Sequence, residues 1–174
     1  MRRVNVTASA SGNGKTTVGR ALAERLDVPF VELDSIVHGP GWAEISDDEL
    51  RRVLEPIVAG DGWVIDGGYR RKIGDLVLAR ADTVLWLDLP VHVWLPRLVR
   101  RTVRRIRDDE ALWESGNKEG WRTGFWGRDS LIGYALRAHF DRRRRYPQEL
   151  AAYPVIRLRS QSEIDRFVRD AVAT

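Results

Sequence analysis

Apolar and polar positions along the chain switch repeatedly between a two-residue and a helical period. Val4 to Thr7 is a short apolar stretch of strand length, and Val18, Leu22 and Leu26, with Ala21 alongside, predict a helix over Thr16 to Leu26. Asp27-Val28-Pro29 ends that helix, and FVELD (30–34) predicts a second strand. Ser46-Asp47-Asp48-Glu49 has the form of a capping box and leads into Leu50, Val53, Leu54, Ile57 and Val58 at helical spacing. Gly60-Asp61-Gly62 stops that helix, and WVIDGG (63–68) predicts a third strand ending in glycines. TVLWLDLP (83–90) is nearly continuous in apolar residues, as strands buried on both faces are. A long arginine-rich helical region follows; then PVIRL (154–158) predicts a fifth strand and SEIDRFVRDAVA (162–173) a closing amphipathic helix. Strands alternating with helices predict an α/β fold, a five-stranded parallel sheet flanked by helices. The 174 residues suit a single domain over 1–174, and no repeat or linker divides it.

Between the first strand and the first helix lies ASASGNGKTT (8–17). Gly14-Lys15-Thr16 matches the second half of the phosphate-loop pattern, while Ser9 stands where that pattern has its first glycine. Such a loop turns backbone amides toward phosphate oxygens at a helix N-terminus. Ser9 removes no amide donor, and Gly12 and Gly14 leave the backbone free to curl, so nucleotide binding is expected. Lys15 would reach the β- and γ-phosphates, and the Thr16 hydroxyl would ligate Mg²⁺. A guanine-reading Asn-Lys-x-Asp is not met: Asn117-Lys118-Glu119-Gly120 fails at its last position.

Charge sharpens this picture. The net charge is only +4, but lysine occurs just at 15, 72 and 118, and arginine supplies the rest of the 29 basic residues. RLVRRTVRRIR (97–107) and DRRRRYPQEL (141–150) are dense runs, either solvated helix faces or contacts to a phosphate-rich ligand. The absence of cysteine excludes disulfides and cysteine-bound zinc. The apolar runs are strand-sized, no signal peptide is expected at MRRVNVTAS, and a cytoplasmic enzyme without membrane contact is the default. His38, His92 and His139 are scattered and predict no metal cluster.

Asp66-Gly67-Gly68-Tyr69-Arg70 directly after the third strand, with the arginine spacing after the fourth, resembles adenylate kinase and its small-kinase relatives. LDSIVHGPGW, WVIDGGY and LARADTVLWLDLP are most similar to the branch labelled topology modulation proteins. The resemblance implies an adenylate-kinase-like P-loop NTPase fold with a helical lid, and a kinase using ATP and Mg²⁺. Ser11, Gly12, Asn13, Gly14, Lys15, Thr16 and Thr17 would then hold the ATP phosphates, with Asp66 near Mg²⁺ beside Thr16. Arg70 would grip a substrate phosphate. Arg97 would pack on adenine, Arg101 would clamp phosphates, and the loop Arg159-Ser160-Gln161 would close the other side of the base. Pro96, one residue before Arg97, would kink or begin that helix. Arg137 is a candidate transition-state clamp, with Arg142 to Arg145 as alternatives.

Asp34 closes the predicted second strand at the carboxyl edge of the sheet, where ligands collect. Shikimate and gluconate kinases place a carboxylate in that region, so Asp34 is either the general base for an acceptor hydroxyl or a cap of the following turn. Asp88, before Leu89-Pro90, reads as structural. Residues 108–130, with glycines at 116, 120, 124 and 127 and with Arg122 and Arg128, predict a lid that excludes water, and Trp113, Trp121 and Trp126 would either seal it or stack on a flat acceptor. The segment 35–62 is short for a nucleoside-monophosphate clamp, which leaves a nucleoside monophosphate, a nucleoside, another small phosphorylated metabolite or a polyol as acceptor. HGPGW (38–42) is either a wall of that pocket or a structural loop. Two functions remain: a phosphotransferase acting on a small acceptor, or a nucleotide-dependent regulator whose arginine runs bind nucleic acid.

Overall fold

The computed structural model describes residues 1–127 and 129–172. The chain runs β1 (Arg3–Ala8), α1 (Lys15–Leu26), β2 (Phe30–Glu32), α2 (Leu33–Val37), α3 (Asp47–Val58), β3 (Trp63–Asp66) and α4 (Arg70–Ile73). It continues through β4 (Thr83–Leu87), α5 (Val91–Arg107), a hairpin of β5 (Ala111–Leu112) and β6 (Asn117–Lys118), and α6 (Trp121–Phe125). The long α7 (Leu131–Glu149), β7 (Val155–Leu158) and α8 (Gln161–Asp170) complete the order. The main sheet is five-stranded and parallel throughout, ordered β2-β3-β1-β4-β7.

Alternation along the strands builds a core on each face of the sheet. Val4, Val6, Val64, Leu85 and Leu87 point to the face that packs Val18, Leu22 and Leu26 of α1, Trp94 and Leu98 of α5, and Ile164 of α8. Trp63 and Ile65 point the other way, onto Leu33 and Val37 of α2 and Leu50, Leu54 and Val58 of α3. On β1 that second face is polar yet buried. Asn5 spends its amide on the carbonyls of Ile65 (3.2 Å) and Gly67 (2.7 Å), tying the end of β3 to the central strand. The Ser46 hydroxyl caps α3 by accepting from Glu49 N at 3.2 Å, as its sequence predicts.

Several boundaries differ from expectation, each for a local reason. β2 stops at Glu32, because Leu33 and Val37 bury themselves four apart in a helical turn. Asp34 therefore lies in the first turn of α2, still at the carboxyl edge of the sheet. α5 starts at Val91 after Pro90 and runs on through Pro96, which neither begins nor ends it. The segment expected as a helical lid is half hairpin: Trp113 (φ 53°) and Gly116 (φ 67°) adopt left-handed backbone that turns β5 into β6, and only α6 is helical. α8 ends at Asp170; Ala173, and Arg128 of the lid, lie outside the described residues. No described helix is long and apolar enough to cross a membrane.

Candidate active site

The loop between β1 and α1 sits at the carboxyl end of the central strand. Gly12 (φ 85°) and Gly14 (φ 87°) take left-handed backbone, and a Cβ on Gly12 would fall 2.7 Å from the Trp94 carbonyl. α5 thus packs so closely on the loop that only glycine fits there. Ser9 has no such requirement, because its φ is not positive. Its hydroxyl donates to Asp88 Oδ1 at 2.6 Å and accepts from the Trp86 indole at 2.9 Å. Asn13 also turns its side chain inward, donating to Ala10 O and accepting from Leu89 N, both at 2.9 Å, so any contact to phosphate must come from its backbone. Ser11, Lys15 and Thr16 are half-buried at the loop's mouth, and Thr17 is exposed.

Lys15, Thr16 and Asp66 form one cluster. The Thr16 hydroxyl donates to Asp66 Oδ2 at 2.6 Å, and Lys15 Nζ lies 2.9 Å from Asp66 Oδ1. Burial pulls the Lys15 ammonium toward lower pKa, but Asp66 and then Asp34 outweigh it, and the net direction is upward, so the charge is kept. Asp66 Oδ1 is buried and, despite the ion pair, makes no aligned hydrogen bond. A hydroxyl and a carboxylate with a free lone pair are the hard oxygen donors Mg²⁺ takes, so Thr16 and Asp66 fit the ion.

Across the sheet edge, Asp34 Oδ1 accepts from the Tyr69 hydroxyl at 2.6 Å, and His38 Nε2 lies 3.2 Å from that hydroxyl. Tyr69 sits at φ 37°, uncommon for a large side chain. Burial, then the Asp34 charge and hydrogen bond, push its phenol far above the ordinary range, which keeps it a donor. The HGPGW turn and the β5–β6 hairpin meet over this corner. Asn117 accepts from Trp42 N (3.1 Å) and donates to Gly39 O (2.9 Å). Trp113 stacks beside His38 with centroids 6.0 Å apart and donates to Glu32 at 3.1 Å. Replacing Asn117 by alanine removes two part-buried hydrogen bonds to the 39–42 turn, and is expected to cost about 0.5–1.5 kcal/mol in chemical denaturation. Tryptophan emission should shift to the red as the half-buried Trp113 becomes wet; unchanged emission and stability would show that the hairpin does not rest on this clasp.

The arginines divide. Arg101 is half-buried, its Nε buried and without a partner; burial and then Arg105 pull it below its ordinary pKa, while Glu119 and Asp34 oppose. Arg142 donates to Ala8 O at 3.1 Å and is electrostatically coupled to Lys15, so it is the α7 arginine brought to the loop. Arg137 is not: it is exposed and faces Asp129 at 3.6 Å. Nor is Arg70, whose guanidinium pairs with Asp75 (2.5 Å), donates to Glu149 O (2.9 Å) and covers the Tyr153 ring. Arg97 and Gln161 bond across the far side at 2.9 Å, with Arg159 exposed just before. Much of the remaining positive charge is matched internally: Arg104 and Arg105 by Glu110, Arg105 also by Glu119, and Arg145 by Asp141 and Glu149. Asp88 is wholly buried beneath Arg143 and Arg157.

A parallel sheet in this order, with a phosphate loop leaving its central strand, is the P-loop kinase fold, and the chain has that fold. Known proteins narrow the similarity. The shikimate kinase family profile matches residues 11–47, from the loop to the start of α3. A shikimate kinase of Sulfurihydrogenibium sp. is 33% identical over 101 residues, 50% of this chain and 61% of that protein, so the match spans about six tenths of the relative's length. One of Mycobacterium avium is 29% identical over 160 residues, covering 84% of this chain and 88% of its own. The crystal structure of shikimate kinase from Bacteroides thetaiotaomicron superposes with a TM-score of 0.59 at 18% identity, over 97% of this chain and 94% of that one.

Arg70 carries the sequence motif, but it is the neighbouring Tyr69 that reaches Asp34. The available signal was position: Tyr69 follows two glycines at the carboxyl end of a central strand, where a side chain is delivered into the cleft. His38 read as a scattered histidine because its partner, Tyr69, is 31 residues away.

Proposed function

We propose that the chain transfers the γ-phosphate of ATP to a hydroxyl of a small acceptor held against Asp34. The observation that carries this reading is the geometry at the carboxyl edge of the sheet: Lys15 and Thr16 meet Asp66 at the end of β3, and Tyr69, three residues further on, donates to Asp34 Oδ1 at 2.6 Å. Ser11 to Thr17 cradle the phosphates, and Thr16 and Asp66 would hold Mg²⁺, which would supply charge neutralisation to the phosphates. Asp34 orients the acceptor hydroxyl and takes its proton as the oxygen attacks. Arg142 supplies the positive charge from α7 in the role first sought in Arg137, and Arg97 with the 159–161 loop flanks the base. Residues 108–130 act as the lid over the acceptor-side segment 35–62.

Arg101, half-buried with its Nε buried and without a hydrogen-bond partner, favours an acceptor that carries an anion. The relatives' name makes shikimate, a hydroxylated acid, the leading candidate, ahead of a nucleoside monophosphate. The likeness to topology modulation proteins fits the same small-kinase reading and names no acceptor. The nucleic-acid alternative is weakened by the internal pairing of the arginine runs. The test is ADP release from Mg·ATP with shikimate, gluconate, nucleosides and nucleoside monophosphates in turn. Stimulation by shikimate with a phosphorylated product is expected; turnover with a nucleoside monophosphate alone would overturn the acceptor assignment.

A further inference from the structure

The phosphate loop is wired to the exit of β4 at two points, and the first of them is the serine that departs from the glycine pattern. Ser9 is fully buried, its N–H donates to Leu87 O at 3.0 Å, and its hydroxyl is fixed between Asp88 Oδ1 and the Trp86 indole. Asn13, at the other end of the loop, bonds to Leu89 N. Asp88 is itself held from outside. Arg157 of β7 donates to Oδ2 through Nε at 3.0 Å and through its terminal nitrogen at 2.5 Å, while its guanidinium lies 4.0 Å over the Trp86 ring. Arg143 of α7 approaches Oδ1 at 3.2 Å, and the neighbouring Arg142 takes the Ala8 carbonyl immediately before Ser9. A buried carboxylate fixed by two guanidinium groups and aimed at one hydroxyl is more than a serine needs merely to be tolerated.

We propose that Ser9 and Asp88 are positioning residues for the ATP phosphates: the carboxylate, anchored by Arg143 and Arg157, holds the loop through the Ser9 hydroxyl in its phosphate-receiving shape. A glycine at this position gives a phosphate loop backbone freedom; here the backbone needs none, and a hydrogen bond to a charged group fixes the loop in place. Preorganised amides bind phosphate without first losing the freedom of an unbraced loop. The inference rests on the ATP reading above, and it predicts that restoring the consensus residue does harm.

The experiment measures ATP and tripolyphosphate binding by calorimetry, below the melting temperature, for the wild type, Ser9→Gly and Ser9→Ala. Losing a hydrogen bond to a charged group should raise both dissociation constants about tenfold or more in either variant, while circular dichroism shows the wild-type fold. Tripolyphosphate carries no base, so an equal loss for both ligands places the effect at the phosphates. Variants that lower the melting temperature but bind ATP within twofold of wild type would make Ser9 a purely structural residue and overturn the inference. If Ser9→Gly does not fold, Ser9→Ala, which removes a single oxygen, decides alone. A wild-type protein that binds neither ligand would instead overturn the ATP reading and take the inference with it.

Discussion

Lys15→Met is expected to reduce phosphoryl transfer by roughly a hundred- to thousandfold or more, the loss seen when one donor to developing negative charge is removed from a water-excluded site. The ammonium lies 2.9 Å from Asp66, where an incoming triphosphate would compete for it, and neighbouring carboxylates hold it charged against the cost of burial. Methionine keeps most of the stem's packing and removes only the head. Asp66 retains the Thr16 hydroxyl at 2.6 Å, so the stability cost should stay near 1–3 kcal/mol, which a domain of ordinary stability survives. Turnover is followed by coupled ADP release and the fold by circular dichroism. Retained turnover in a folded variant would remove the phosphate loop from the reaction altogether.

The sheet was legible because each strand is a self-contained apolar run, and the loop because Gly14-Lys15-Thr16 lies between such a run and a helix. What the sequence withheld were contacts made by residues far apart. FVELD shows no sign that Leu33 begins a helix, since burial of Leu33 and Val37 against Trp63 and Ile65 decides it. The lid's hairpin rests on Asn117 reaching the backbone at 39 and 42, and no period in 108–130 encodes that. Arg137 and Arg142 are indistinguishable in an arginine-rich helix until the helix is placed. Leu89-Pro90 marks Asp88 as a strand-end residue, but its hold on Ser9 spans 79 positions of sequence.

Asp34→Asn is expected to lower kcat by about 10²–10⁴-fold, the span for loss of a positioned general base, with ATP affinity nearly unchanged. Asparagine keeps the size and still accepts from Tyr69 but cannot take the acceptor's proton. The geometry adds a second, sharper expectation. The Tyr69 hydroxyl spends its one proton on Asp34 Oδ1, so it orients the carboxylate and leaves Oδ2 for the acceptor. Tyr69→Phe, which keeps the ring against the core, should therefore lower kcat by roughly tenfold, in line with one hydrogen bond to a charged group, and leave the ATP dissociation constant alone. Because tyrosine acts only through the carboxylate, the double variant should be no slower than Asp34→Asn by itself. Multiplying losses would mean that Tyr69 touches the acceptor directly, and an unchanged kcat in Asp34→Asn would return Asp34 to the role of a helix-turn residue.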